Sequence, residues 1–463
     1  MSLDFIDILV ICVYFTVVLF VGFVIAKRKG NSYESSEEYL LAGRKLTLPL
    51  FTASLVATWY GSILGIGEFV YTSGFTAWVC FGLPYYIAAA FFAFFIAGKI
   101  RDSNVSSIPE QIRNKYGNKA GLVSSVIVFI ITVPAAYVLM LGIIIQLIFG
   151  LSLWISIIIG TILSLIYLYT GGFRADVYTN AAQFILMYLG FACLLFFTIQ
   201  YYGSIATMIS TLPDEFKSFT GNYSWQYIAV WFIIALQTFV DPGFHQRCSA
   251  AKSAKTAKNG ILVSIGFWAI FDFMTLTTGL FAKVYLELDN PLMSYPVLAE
   301  TVLPAFFKGL VLVSFLATVM STLDSYAFLS ALTIGNDILS QFKSFKEYST
   351  QTLTKIGLII TGVLGVVLAI LIPSAVEIIY KTASIAVPGL IFPLTLSMSR
   401  RLVLTPKAAL IIMICSSMVS LVWTISKSVG LDFSNDIEPM FPGIITGFAL
   451  TLFFVKNKRN TIK

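Results

Sequence analysis

Residues 57–68 read ATWYGSILGIGE, an apolar stretch that carries Gly61, Gly65 and Gly67. This stretch lies inside a longer apolar run, near 48–72, which has the length of a membrane-spanning helix. Glycine weakens a helix interior, so we predict that the span is interrupted near its middle. Backbone groups freed at such a break are available to bind ions or solutes.

A second interruption is predicted at residues 241–244, which read DPGF within the apolar run 225–246. Proline has no backbone N–H to donate and breaks or bends a helix. The two interrupted runs are five spans apart, which fits two five-helix repeats over 48–201 and 225–398. Interrupted helices in corresponding positions are typical of secondary transporters with inverted repeats. The alternative is that the glycines serve only helix packing.

The composition indicates an all-α, multi-pass membrane protein with one transmembrane domain over 1–463. Of the 463 residues, 58% are hydrophobic and 11% are charged, whereas soluble domains carry about 25% charged residues. Apolar runs predict about thirteen spans, with one before the two repeats and two peripheral helices after them, in 405–455. The predicted spans lie near 5–26, 48–72, 76–98, 121–149, 152–170, 177–201, 225–246, 260–285, 308–335, 352–372, 375–398, 405–427 and 439–455.

The distribution of positive charge predicts the orientation. With the N-terminus outside, most of the 30 lysine and arginine residues fall on the inner side, as is typical of cytoplasmic loops. We therefore predict a plasma (inner) membrane protein with its C-terminus in the cytoplasm, functional as a monomer. The same distribution explains the net charge of +7 without a nucleic-acid partner.

Several function classes are disfavoured. The five cysteines are scattered and His245 is the one histidine, so no Cys/His spacing predicts a transition-metal site. A P-loop is absent, and an ion gradient must therefore drive any uphill transport. No nucleophile or acid–base motif lies outside the spans, so we predict that the chain is not an enzyme.

Four stretches, in addition, resemble one family in order and spacing. They are SSEEYLLAGRK (35–45), YTGGFRADVYTNAAQ (169–183), HQRCSAAKSAKTAKNG (245–260) and ATVMSTLDS (317–325). Together they resemble the sodium:solute symporter family, which includes carriers of proline, sugars, sialic acid and iodide. The resemblance covers about residues 5–400. It implies a LeuT-type fold and sodium-driven uptake of a small organic solute by alternating access.

The resemblance implies a sodium site between the second and ninth spans. It assigns the backbone carbonyls of Ala57, Tyr60 and Thr318, together with the hydroxyls of Ser321 and Thr322. The residue pattern agrees, because a hard cation takes several oxygen ligands and positions 318, 321, 322 and 325 share one helix face. The alternative for each hydroxyl is a hydrogen bond to its own helical turn.

Two departures from the family pattern predict a second cation site. Thr179 is followed by Asn180 where the family has an acid, and Asp324 stands where some members have a hydroxyl. We predict that Asp324, Ser325, Asn180 and Thr179 form a cation site or a protonatable position, with Asp324 pointing towards Asn180. The alternative is a neutral Asp324 that bonds a neighbouring helix.

Asp176, one turn before Asn180, leaves two roles open. It either supplies the missing acid or caps the start of the helix beside Arg174, and we favour the cap. An acid within an apolar span is costly if it faces lipid, at roughly 2.5–3.5 kcal/mol, so these carboxylates are expected inside the bundle.

The solute cavity is expected near the midplane between the interrupted spans. Its candidate lining residues are Trp59, Glu68, Gln237, Phe239 and Asp241, each with a structural role as the alternative. Lys381 is a further candidate, unless it pairs with Glu377 at i, i+4. Acids outnumber bases in this set, which favours a neutral polyol, an amino acid or a cationic solute over a polyanion.

Two alternative functions remain open. A proton-coupled carrier on the same scaffold would use Asp324 and would not respond to sodium. A non-transporting solute sensor of the same fold is the other alternative.

Overall fold

The computed structural model describes residues 2–27, 36–372, 374–399, 401–431 and 437–457. Ser35 of the first family motif lies outside these residues, as do the basic residues at 28–29, 400 and 458–463 that entered the orientation prediction.

The described chain is largely α-helical, as predicted. In chain order the helices are α1 (Phe5–Lys27), α2 (Ser36–Leu41), α3 (Leu48–Ala57), α4 (Ile63–Ser73), α5 (Thr76–Phe81), α6 (Leu83–Phe95), α7 (Ala97–Asp102), α8 (Ile108–Tyr116), α9 (Asn118–Thr132), α10 (Ala135–Phe149), α11 (Leu153–Tyr202), α12 (Ile205–Thr211), α13 (Asp214–Lys217), α14 (Trp225–Ile234), α15 (Pro242–Ala250), α16 (Ala254–Tyr285), α17 (Ser294–Val302), α18 (Phe307–Leu332), α19 (Thr350–Leu371), α20 (Ala375–Ser397), α21 (Pro406–Ser428) and α22 (Met440–Phe454).

Short elements complete the described chain. The 3-10 helices are Ala42–Arg44, Ala235–Val240, Pro291–Met293, Leu339–Gln341 and Lys343–Phe345, and a π-helical segment, Thr333–Ile338, follows α18. Two short strands, β1 (Leu402–Val403) and β2 (Lys456–Asn457), pair antiparallel.

Within the described residues, nine helical stretches are long and apolar enough to cross a membrane, or ten if a bent pair counts as one span. A multi-pass membrane protein is thereby confirmed. The predicted number of thirteen is not confirmed by these criteria. The interrupted span at 48–72 divides into two short helices, and the span at 439–455 forms only the 15-residue α22. The predicted spans 152–170 and 177–201 are joined in α11.

Gly172 divides α11 into two membrane spans. An unbroken helix of 50 residues would be about 75 Å long, more than twice the hydrocarbon thickness of about 30 Å. At Gly172 the backbone has φ 58° and ψ −154°, a conformation that only glycine adopts readily. Ser164 and Asn180 lie on opposite sides of this break yet contact the consecutive residues Asp324 and Ser325. The chain therefore turns back on itself at Gly172.

Both predicted interruptions are present. Between α3 and α4, residues 58–62 leave the α-helical conformation. Near the second break, α15 follows Trp225–Val240 at a bend of 40°. Asp241 caps α15, because its Oδ1 accepts a hydrogen bond from the Phe244 N–H at 3.0 Å. The division of the chain into two five-helix repeats stays a prediction.

Helix α18 lies at the centre of the molecule. Every residue from Val311 to Leu332 is buried except Tyr326, and the helix packs against α11, α1 and α3. A soluble surface helix buries one face only, whereas α18 is surrounded by protein. Its hydroxyl and carboxyl groups must therefore find partners on neighbouring helices.

Candidate ion and solute sites

The interruption between α3 and α4 meets α18 at the predicted sodium ligands. The Ser321 hydroxyl lies 2.8 Å from the Ala57 carbonyl oxygen and 2.9 Å from that of Thr318, within hydrogen-bonding distance of both. The Thr322 hydroxyl lies 3.3 Å from the same Thr318 oxygen. A side chain at Gly61 would collide with Thr322, at 2.6 Å between Cβ atoms. Glycine therefore permits the close approach of the two segments.

Tyr60 also lies at this junction and is fully buried. Its hydroxyl donates to Asp272 Oδ1 at 2.7 Å, with the Trp268 carbonyl 3.1 Å away. Tyr60 thus contributes a backbone carbonyl to the interrupted segment and a hydroxyl to a different site. The five predicted ligands provide carbonyl and hydroxyl oxygens, the donors that suit a hard cation.

A separate polar cluster surrounds Ser325, the next turn of α18. Its hydroxyl donates to Asp176, at 2.7 Å from Oδ1. The Asn180 amide donates to Asp176 Oδ1 at 3.0 Å and to the Ser325 hydroxyl at 3.1 Å. Asp176 therefore provides the acid beside Asn180. The favoured role as a helix cap beside Arg174 is corrected, because the Asp176 oxygens accept from the Ser325 and Asn180 side chains, and Arg174 pairs with Glu38 at 3.0 Å.

Arg247 completes this cluster with a fixed positive charge. Its Nη2 donates to the Ser325 hydroxyl at 2.9 Å and lies 3.8 Å from Asp176 Oδ2. Its Nε donates to the Ser54 hydroxyl at 3.0 Å, which ties α15 to α3. The Asp176 and Arg247 side chains are both 0% exposed. Arg247 directly follows the predicted span 225–246, where a basic residue is expected to lie in a cytoplasmic loop, and no pattern around it signals burial.

Asp324 lies apart from the Ser325 cluster, contrary to the prediction that it points towards Asn180. Its two carboxylate oxygens accept hydrogen bonds from Ser164 and Tyr167, in the first half of α11. Thr179 bonds back to its own helix, at 2.9 Å from the Ala175 carbonyl. The four predicted residues therefore do not form one group. Helix rotation explains the difference, because consecutive residues of α18 face different neighbours.

A cavity of about 880 Å³ lies between the interrupted helices and contains two of the predicted lining residues, Glu68 and Gln237. Trp59 packs instead against Tyr85 and Trp268, with ring centroids 5.1 Å apart in each pair. These contacts give Trp59 a packing role beside the cavity.

The other two predicted lining residues also have structural roles. Phe239 packs on Phe92 at 6.1 Å. Asp241 caps α15 and accepts from the Tyr326 hydroxyl at 2.6 Å. Lys381 forms the predicted ion pair with Glu377, at 2.5 Å. The sequence-based list therefore mixes cavity residues with packing residues.

Asp272, which the sequence analysis missed, lines the same cavity. Its Oδ1 accepts from Tyr60 and its Oδ2 accepts from Tyr86. The signal was present, because Asp272 is an isolated acid within the apolar run 260–285. Such an acid in a membrane span is by default a candidate functional residue.

Comparison with known proteins assigns the family. The model of the sodium:solute symporter family matches residues 39–401. The chain therefore belongs to the sodium:solute symporter family. This is a family of transporters and not of enzymes, which confirms the predicted class and supports Na⁺ as the co-transported ion.

Individual relatives are distant. The chain is 25% identical over 387 residues to the sodium/glucose cotransporter of Vibrio parahaemolyticus, covering 74% of this chain and 70% of that protein. It is 23% identical over 386 residues to the high-affinity choline transporter 1 of Drosophila melanogaster, covering 79% and 62% respectively. The chain thus spans about two thirds of the length of these relatives.

A solved structure supports the fold. The substrate-bound, outward-open structure of a Na⁺-coupled sialic acid symporter matches with a TM-score of 0.81 and 18% identity, covering 99% of this chain and 100% of that one. This similarity confirms the LeuT-type fold that the sequence motifs implied.

Proposed function

We propose that the protein imports a small organic solute together with Na⁺ across the cell membrane by alternating access. The observation that carries the proposal is the contact between the Ser321 hydroxyl and the Ala57 carbonyl at 2.8 Å. This contact joins the interrupted helix to α18 with oxygen atoms alone. A sodium ion bound between them would replace this hydrogen bond and hold the two segments together.

We assign the sodium ligands as the carbonyls of Ala57, Tyr60 and Thr318 and the hydroxyls of Ser321 and Thr322. Tyr60 offers a physical route for coupling. Its carbonyl belongs to the proposed sodium site, and its hydroxyl donates to Asp272 in the cavity at 2.7 Å. If sodium or the solute orders Tyr60 on binding, the second of the two then binds with a smaller loss of conformational entropy.

We further propose that the cluster at Ser325 does not bind a second sodium. The guanidinium of Arg247 already lies 2.9 Å from the Ser325 hydroxyl and 3.8 Å from Asp176. A sodium ion there would meet a fixed positive charge in a region of low dielectric, where like charges repel strongly. The proposal is therefore one sodium per transport cycle at the Ser321 site.

The orientation and oligomeric state complete the proposal. Ser224 and Glu438 line the cavity. Each lies in a loop between predicted spans that falls outside when the N-terminus is outside. The N-terminal residues belong to the same predicted side. Ser2 donates at 2.8 Å to Glu300, which lies between the predicted spans 260–285 and 308–335 and so on that side as well. We propose a monomer with its N-terminus outside and its cavity open to that side. Labelling of a cysteine introduced at position 224 by an impermeant reagent on intact cells tests the orientation.

Sodium-dependent stability tests the proposed function. A ligand that binds only the folded state raises the apparent melting temperature by mass action. NaCl is therefore expected to raise the Tm of the purified protein saturably, while KCl at equal ionic strength leaves it unchanged. Equal shifts with both salts would contradict a sodium site.

Proton coupling is the second candidate function, and one observation favours it. Asp324 is fully buried, and its carboxylate accepts from Ser164 and Tyr167. Among the described residues, no lysine or arginine forms an ion pair with it. Two titratable groups there interact with it, since Tyr167 donates a hydrogen bond and Tyr14 interacts with it electrostatically. Acid-driven uptake that persists without sodium would favour this function over sodium symport.

A further inference from the structure

The charged groups of the cavity wall are mostly acidic. Glu68 and Asp272 line the cavity, and neither forms an ion pair with any described residue. The basic residue of the lining, Lys427, is paired with Glu438 at 3.2 Å. The wall therefore presents two carboxyl groups that form no ion pair within the described part of the chain.

The Asp272 carboxylate is oriented but not saturated. The hydroxyls of Tyr60 and Tyr86 each bond one of its oxygens. A carboxylate has about four lone-pair sites, so two hydroxyls leave acceptor capacity for a further donor. Tyrosine donors fix the position of the acid without compensating its charge.

Aromatic rings form much of the remaining wall. Phe69, Trp78, Phe81, Tyr85 and Trp231 all line the cavity. The ring centroids of Phe69 and Trp231 are 5.6 Å apart, and those of Phe81 and Tyr85 are 5.5 Å apart. The negative face of an aromatic ring attracts a cation within about 6 Å. Carboxyl groups and rings therefore favour the same type of ligand.

Two hydroxyl groups of the wall that are withdrawn from solvent have no partner in the described structure. They are the Ser62 hydroxyl and the Tyr380 hydroxyl. Buried hydroxyls are normally hydrogen-bonded. These two groups are available for a hydroxyl or an N–H of a bound solute.

We infer that the solute is a small organic cation, an amine or a quaternary ammonium compound without a carboxylate. This inference rests on the proposed transport function and specifies its solute. The positive charge of the bound solute lies among Glu68, Asp272 and the aromatic rings of the wall. A carboxylate on the solute would meet two carboxyl groups and, among the described lining residues, only the paired base Lys427, so anions and zwitterions are rejected.

A charge-matched series of ligands tests the inference. Thermal unfolding of the full-length protein is measured with ethanolamine, choline and putrescine as cations. The neutral isostere 3,3-dimethylbutan-1-ol, glucose, and the zwitterions proline and glycine betaine complete the series. At least one cation is expected to raise the Tm saturably, whereas the uncharged and zwitterionic compounds leave it unchanged. Stabilisation by glucose, proline or betaine and by none of the cations overturns the inference.

The response to sodium separates this inference from the proposed function. An organic cation whose stabilising effect increases with NaCl concentration supports both the inferred solute and the proposed symport. If a neutral solute stabilises the protein in a sodium-dependent way, the inference of an organic cation is overturned. The proposed sodium symport would still hold. If an organic cation stabilises the protein equally in NaCl and KCl, the inferred class of solute is supported. The proposed sodium symport is then contradicted.

Two variants locate the charge. Asp272→Asn and Glu68→Gln keep the side-chain shape and remove the carboxylate. Each is expected to raise the Kd of the best cation of the series about tenfold or more, since a charge-assisted contact is lost. Asp289→Asn, at an exposed acid outside the cavity, is the matched control and leaves the Kd unchanged. Wild-type affinity in both Asp272→Asn and Glu68→Gln overturns the inference.

Discussion

Two consecutive turns of α18 hold polar atoms inside the protein in different ways. Around Ser321, hydroxyls and carbonyls from two segments meet without any charged side chain. Around Ser325, one turn later, a carboxylate and a guanidinium share the hydroxyl. The first arrangement offers cation ligands without a fixed charge, whereas the second already contains a fixed cation. Similar serines on one helix therefore serve different purposes, according to the helices that face them.

The largest expected effect comes from breaking the fixed pair. Arg247→Met leaves the buried Asp176 without a counter-charge, and removal of one partner of a buried pair costs about 3–5 kcal/mol. Thermal unfolding is therefore expected to shift strongly downwards. The double variant Arg247→Met/Asp176→Asn is the control and recovers most of the loss. Wild-type stability of the single variant would refute a structural pair at Ser325.

An intermediate effect is expected where the sodium and solute sites meet. Tyr60→Phe keeps the backbone carbonyl and removes the hydroxyl that donates to Asp272. A lost hydrogen bond is worth about 1 kcal/mol, so sodium should enhance solute binding about fivefold less than in the wild type. The measurement is the Kd of the solute with and without saturating NaCl.

Tyr85→Phe is the control for this variant, since Tyr85 lines the same cavity and its hydroxyl forms no hydrogen bond with a described residue. Its coupling should equal that of the wild type. If Tyr60→Phe also retains full coupling, the route through Tyr60 is wrong.

The smallest effect on coupling is expected at Asp324. Its carboxylate bonds Ser164 and Tyr167 on α11 and lies outside both clusters. Asp324→Asn is therefore expected to leave the sodium affinity and the pH profile of uptake close to those of the wild type. Uptake of the solute into vesicles across a range of external pH tests this. Loss of an acid-stimulated component in the variant would support proton coupling instead.

Local patterns predicted part of this structure. Glycines at 61, 65 and 67 and proline at 242 indicated the two interruptions, because backbone chemistry is local. The spacing of Thr318, Ser321 and Thr322 placed them on one face of a helix, and the structure brings Ser321 to Ala57.

Long-range contacts were beyond local patterns. Arg247 reaches Ser325 across 78 positions of the chain, and Ser164 reaches Asp324 across 160. The partner of each buried charge depends on the rotation and the packing of whole helices. Asp272 differs from these, since an isolated acid in an apolar run was visible in the sequence and should have been considered with Asp324.

The sodium affinities of Ser321→Ala and Ser325→Ala test whether sodium binds at Ser321 and not at Ser325. Both variants remove one buried hydroxyl from α18, one turn apart, so each serves as the control for the other. Sodium-dependent stabilisation is titrated in each variant relative to its own sodium-free Tm. Ser321→Ala is expected to weaken sodium binding about tenfold or more, because a cation ligand is lost, whereas Ser325→Ala is expected to bind sodium like the wild type. Weak sodium binding in Ser325→Ala together with normal binding in Ser321→Ala would contradict a sodium site at Ser321.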